Sequence, residues 1–293
     1  MPRILHPVAC LTSFLMDRFI SKLLFIAACS SIAILALIAL FIFKEGVPII
    51  IRSGLGHFLF GRIWSPLEGQ FGILPFIIGS LWVTAGALIL GVPLGVACAV
   101  FLAEFAPARL AAVLKPAIEL LAGIPSVVYG FLGVMWLAPI IRVHLGGPGL
   151  SILAASCVLA IMILPTIVGV SIDAIHAVPR SYKEGSLALG ATEWQTAWRV
   201  ILPAARSGIL AGVILGMGRA VGETMAVIMI SGNATQIPHS ILDSVRTLTA
   251  NIAIEMGYAV GDHREALFAT GIVLFFFIMA LNTVALRVAR RRF

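Results

Sequence analysis

Two side chains of opposite charge, Arg219 and Glu223, stand four positions apart in a stretch, 208–230, that carries no other charge. A charged side chain at the centre of a membrane helix costs about 2.5–3.5 kcal/mol on insertion scales, so such residues mark a function or a partner. Four residues advance a helix by about 6 Å and return to nearly the same face. The spacing therefore predicts a pair that points into a helix bundle and partly neutralises itself. Two uses fit it. One is a clamp between helices. In the other, Arg219 offers its planar fork of donors to a passing oxyanion, and Glu223 balances that charge when the path is empty. Gly216, Gly218 and Gly222 surround the pair and are expected to let helices approach closely. Ser126 and Tyr129, in the uncharged run 120–141, are hydrogen-bond donors that suit an oxyanion or hold helices together. Pro125 before them predicts a broken or kinked helix, a feature of membrane binding sites.

A second group lies in 173–207, a connection far longer than the usual few residues. Within it, YKEGSLALGATEWQTAWRVI reads as two short amphipathic helices. Tyr182, Leu187 and Leu189 belong to the first, and Gly190 supplies the turn. Thr192 is a good N-cap, with Glu193 in the first turn against the helix dipole. Trp194, Ala197, Trp198 and Ile201 follow at helical spacing, and Pro203 is expected to end the pattern. Such a unit either docks into another protein's groove or packs beneath its own bundle.

The elements that carry these residues follow from composition. Of 293 residues, 60% are hydrophobic and 11% charged, with mean hydropathy +1.09. A soluble domain is about 25% charged, so a soluble enzyme, a disordered chain and a nucleic-acid binder are excluded. The net charge of +7 comes from residues at the ends of long apolar runs, not from one basic face. Runs of about 20 apolar residues span a bilayer, and six are predicted at 23–43, 75–103, 120–141, 150–172, 208–230 and 266–286. The first is too long for the apolar core of a secretory leader, and KEGVPIII after it offers no cleavage site, so it is read as a retained anchor. Residues 1–22 are either an interfacial segment or a frayed leader. With both termini inside, 13 of the 20 Lys and Arg face the cytoplasm and 6 the other side, which sets the orientation. The cysteines Cys10, Cys29, Cys98 and Cys157 show no CxxC pairing, and His57, His144, His239 and His263 no ligand spacing, so no metal is expected and these histidines read as polar surface.

EGSLALG (184–190), nine residues and VILP (200–203) resemble the EAA loop of ABC-importer permeases, EAAxxxG followed after nine residues by IxLP. Glu184, Gly190, Leu202 and Pro203 match directly; Gly185, Ser186 and Val200 replace the commoner Ala, Ala and Ile. The resemblance implies that Glu184, Gly185, Ser186, Gly190, Ala191, Thr192, Leu202 and Pro203 form the surface that seats in a cytosolic ATPase. GVILGMGRAVGETMAVIMISGN (212–233) and GIPSVVYGFLG (123–133) are similar to the phosphate-specific ABC importer permeases of the PstC type. In that family the Arg and Glu of this run are implicated in phosphate passage, which implies a substrate path of Arg219, Glu223 and Thr224, with Ser126 and Tyr129. The resemblance is strongest over 119–233 and poor before residue 44.

The resemblance implies an all-α type I ABC importer permease (MetI-like) with six transmembrane helices and cytoplasmic termini, multi-pass in the bacterial plasma (inner) membrane. Its parts would be 1–22, an N-terminal segment; 23–43, the first helix; 44–74, an extracytoplasmic loop; 75–287, the core with the 173–207 coupling loop; and 288–293, a basic tail. Implied partners are two copies of an ABC ATPase, a second permease of the PstA type, an extracytoplasmic phosphate-binding protein and the lipid bilayer, with no nucleic acid. No GxxxxGK[ST] loop and no nucleophile–base or metal set occurs, so no enzyme activity and no cofactor is expected on this chain, ATP and Mg belonging to the ATPase. Two alternatives stand beside this reading. One is a permease for another oxyanion, sulfate or molybdate. The other is an ion-coupled carrier with Glu223 as proton relay, which would need inverted repeats and a second broken helix; the sequence gives no sign of either.

Overall fold

The computed structural model describes the backbone of residues 7–290 and the side chains of 20–287. Most of 1–22, the side chain of Cys10 and the 288–293 tail therefore lie outside the residues whose side chains are described. Among the described residues, six helices are long and apolar enough to cross a membrane. Helix satisfies every backbone group within the segment, which a bilayer demands.

α1 (Pro7–Ser53) continues well past the expected end at 43. The extra turns are held by α13 (Asp262–Arg290). Gly46 lies so close to that helix that a Cβ would come within 2.7 Å of the Ala269 nitrogen. Arg52 pairs with Asp262 at 2.8 Å and also with Glu265. By contrast, most apolar side chains from Ile20 to Leu40 are exposed. After α2 (Leu55–Phe60), β1 (Trp64–Ser65) and β2 (Gln70–Phe71) form an antiparallel hairpin with Trp64 opposite Phe71.

α3 (Leu74–Val100) starts with Pro75 in its first turn, where the missing N–H costs no bond, and a π-helical turn carries it to Phe105. α4 (Ala108–Gly123) is a separate helix that takes the first residues of the expected third span. The chain is extended at Ile124 (ψ 128°), because a residue before proline is pushed out of the helical region, and remains extended at Pro125 (ψ 138°). The third span is then Ser126–His144, built from α5 (Ser126–Leu132), a π turn and α6 (Ala138–His144).

α7 (Ile152–His176) is the most enclosed span, and its neighbours approach it on glycines. Gly91 and Gly95 of α3 face Ile163 and Ile167; Gly212 and Gly216 of α10 (Leu202–Gly222) face Val170 and Ile167. Such close approach is how membrane helices gain dispersion contact without a hydrophobic drive.

The fifth span departs most from expectation. α8 (Arg180–Ala188) is a separate short helix, but α9 (Glu193–Thr196) runs through a π turn, Ala197–Ile201, into α10. Pro203 does not end the pattern. The wider turn, with Leu202 N–H bonded to Ala197 C=O, makes room where a proline ring would clash with a regular helix. The span stops instead at Gly222, and α11 (Met225–Ile230) begins after a break at Glu223–Thr224. α12 (Leu248–Glu255) follows, and then α13. Phe58, Trp64, Phe76, Leu248 and Leu267 form a separate core at this end of the bundle.

Candidate functional site

Two broken spans lie side by side. α5 and α11, each starting just after a break, pack so tightly that a Cβ on Gly130 would meet the Ala226 Cα at 3.0 Å. The Tyr129 hydroxyl, on a buried residue, donates to the Leu121 carbonyl at 2.8 Å and so bridges the break before α5. The second break, at Glu223–Thr224, has no proline or other marker in the residue pattern.

That break changes the geometry of the charged pair. Glu223 has extended backbone (ψ 129°), so it does not complete an i,i+4 pair on one helix with Arg219. Its Oε1 accepts the Ala226 N–H at 3.2 Å, capping α11 at an end whose dipole favours a negative charge. Thr224 Oγ1 donates back to the Gly222 carbonyl at 3.3 Å, and Thr249 Oγ1 donates to the Glu223 carbonyl at 3.1 Å. Arg219, half-buried in the last turn of α10, lies within electrostatic reach of the Tyr129 hydroxyl. No ion pair within 4.0 Å involves Arg219 or Glu223 among the described residues. Of the three nearby glycines, Gly216 packs on α7 as expected, whereas Gly218 and Gly222 face open space. Arg219, Glu223 and Thr224 thus lie at one break, Tyr129 is on the helix packed against α11, and Ser126 sits half-buried at the start of that helix.

The 180–203 hairpin forms a second surface. Gly190, at φ +82°, makes the turn that L side chains resist. Thr192 and Gln195 form a capping box, Thr192 Oγ1 accepting the Gln195 N–H at 3.2 Å and Gln195 Oε1 accepting the Thr192 N–H at 3.0 Å. The two arms are joined by Ser186 and Thr196 hydroxyls 2.9 Å apart, and Lys183 pairs with Glu104 at the end of α3 at 2.6 Å. Phe105, Trp194 and Trp198 form an aromatic row with neighbouring ring centres 5.8 and 6.1 Å apart. Leu189 is 91%, Trp194 62% and Trp198 59% exposed. A cavity of about 500 Å³ opens beside the hairpin, lined by Glu104, His176, Arg180, Lys183 and Glu184. Gly185 and Pro203 are exposed; Ala191 and Leu202 are half-buried.

One polar cluster escaped the sequence reading. Glu255 is 6% exposed and is bonded to Arg246, Trp64 and His263. His263, expected at the polar surface, is instead largely covered, because α13 turns it inward onto Glu255. The only trace in the sequence is an acid ending the apolar run LTANIAIE. Asp243 orders the preceding loop by accepting the backbone N–H of His239 at 2.7 Å and of Ser240 at 2.9 Å, and these bonds hold its carboxyl below the ordinary range.

Residues 91–293 match the family described as binding-protein-dependent transport system inner membrane component. A probable ABC transporter permease protein of Bacillus subtilis (strain 168), YqgH, is 42% identical over 275 residues, 89% of each chain. The phosphate transport system permease protein PstC of Mesorhizobium japonicum is 40% identical over 248 residues, 76% of each chain. Among solved structures, the inward-facing MetNI methionine ABC transporter superposes with a TM-score of 0.61 at 20% identity, over 78% of this chain and 99% of that one. A bacterial alginate ABC transporter does so at 0.61 and 16% identity, over 94% and 96%. At these identities the solved structures speak for the fold alone.

Proposed function

The chain belongs to the family of binding-protein-dependent transport system inner membrane components, and from that premise we propose that it is the membrane permease subunit of an ATP-driven importer of inorganic phosphate. It is a multi-pass membrane protein that moves a solute; ATP hydrolysis belongs to a separate chain. The observation that carries the reading is the pair of adjoining helix breaks with Arg219 beside them, in a chain whose relatives include phosphate permeases named PstC. An arginine fork, the Ser126 hydroxyl and the backbone N–H groups opened by the breaks are donors suited to a tetrahedral oxyanion, and the hydroxyls of Tyr129 and Thr224 join them on releasing the Leu121 and Gly222 carbonyls. Glu223 keeps the empty path from carrying an unbalanced positive charge.

The 180–203 hairpin, with its exposed tryptophans, is the coupling surface. It faces the cytosol and seats on one of two ATPase copies. A second permease of the PstA type completes the path on the open side of Gly218 and Gly222, and an extracytoplasmic binding protein delivers phosphate. In a bacterium the assembly sits in the inner membrane. Gentle extraction of the tagged chain from native membranes followed by mass spectrometry tests this. A P-loop ATPase and a second permease of similar size should co-purify; a chain recovered alone contradicts the assembly.

A further inference from the structure

The segment between α11 and α13 does not lie across the end of the bundle. It turns back into it as α12, where Leu248, Ala250 and Asn251 are fully buried. Both ends of this helix are tied. At its start, Leu248 N–H donates to Ser80 Oγ of α3 at 3.0 Å, and Thr249 Oγ1 donates at 3.1 Å to the Glu223 carbonyl, a group the break has removed from the regular helical ladder. At its end, Glu255 Oε1 accepts from Arg246 Nη1 at 2.5 Å, and Oε2 lies 2.9 Å from Trp64 Nε1 and 2.8 Å from His263 Nε2. Arg246 also donates to Asn251 Oδ1 and to the Asn233 carbonyl, both at 3.1 Å, and lies 5.8 Å from the centre of the Phe76 ring.

One carboxylate therefore joins the hairpin before α3, the segment after α11, α12 itself and the start of α13. Apolar side chains would fill such a space at least as stably; hydrogen bonds to a buried carboxylate fix direction as well. Eight helical residues rise about 12 Å, so α12 carries that direction from the cluster to the break. We infer that Glu255 is a positioning residue for substrate passage: through Arg246 and α12 it holds the Glu223–Thr224 break, and with it the aim of Glu223 and Arg219. The inference rests on the break being part of the substrate path.

The test measures phosphate uptake per assembled complex, with both permeases, the ATPase and the binding protein in proteoliposomes. Thr249→Val and Glu255→Gln should each lower maximal uptake about ten-fold, as expected of residues that act on a site without touching its ligand. Half-saturating binding-protein concentration should stay within about two-fold of native, and the double variant should be no worse than the poorer single one, because both act through α12. Glu255→Asp should restore part of the rate. Thr249→Val uptake within about two-fold of native, or losses that multiply in the double variant, would overturn the inference. If Glu255→Gln fails to assemble, Thr249→Val alone decides. Glu223→Gln run in parallel separates the two readings. Normal uptake there removes the pathway reading, whereas an inactive Glu223→Gln with normal Thr249→Val removes only this inference.

Discussion

Glu223 Oε1 accepts the Ala226 N–H at 3.2 Å across the break between α10 and α11. The carboxylate is engaged at the start of the next helix, and Arg219, one turn earlier, forms no ion pair with it.

Arg219→Gln keeps the length and polarity of the side chain but removes its charge. Hydrogen bonds to charged groups contribute about 1.5–3 kcal/mol, so uptake should fall about 10–100-fold while the complex assembles normally. Loss of assembly, read by size-exclusion chromatography, would favour the clamp.

Gly190→Pro attacks the hairpin turn. Proline cannot reach φ +82° and would remove the N–H that donates to the Leu187 carbonyl at 3.0 Å. ATP hydrolysis by the complex should persist while uptake falls about ten-fold, reflecting a docking surface pulled out of register. Uptake at the native rate would count against the hairpin as coupling element.

Trp194→Ala and Trp198→Ala remove the exposed aromatic face. If these rings anchor the ATPase, each substitution should cost about 2 kcal/mol of binding, near 30-fold in affinity measured by titration of the purified ATPase. Unchanged affinity would count against these rings as the ATPase contact.

Two glycines of one helix should respond in opposite directions. Gly216 has Ile167 Cγ1 3.0 Å from where a Cβ would sit, so Gly216→Val should overpack the α7–α10 contact and lower stability by about 1–3 kcal/mol. Gly218 meets nothing within 4 Å, and Gly218→Ala should stabilise the helix by up to about 1 kcal/mol. Thermal unfolding in detergent distinguishes them.

The Asp243 loop should be acid-sensitive in a defined direction. Its carboxyl titrates below the ordinary value of 3.8, so its stabilisation is present above that value and is lost as pH falls through the lower folded value. Hydrogen exchange at His239 and Ser240, corrected for intrinsic rates, should rise in that acid window, and Asp243→Asn should remove the change.

The frame was legible because each of its signals is local. Apolar runs gave the six spans, Pro125 gave the first break, and Gly190 with Thr192 gave the turn and cap of the hairpin. The second break was hidden because GRAVGETM contains no proline, and it depends on Glu223 capping α11 rather than meeting Arg219. Pro203 misled for the opposite reason: the π turn before it absorbs the strain that a regular helix could not. The Glu255 cluster was invisible because Trp64, Arg246 and His263 come from three distant stretches, and no spacing records that they meet.

The central claim is tested most directly by reconstituting the two permeases, the ATPase and the binding protein in liposomes and following radiolabelled phosphate. Uptake should require both ATP and the binding protein, and excess unlabelled phosphate should suppress it while sulfate and molybdate do not. Accumulation by this chain alone, without ATP and driven by a proton gradient, would contradict the account and make it an ion-coupled carrier.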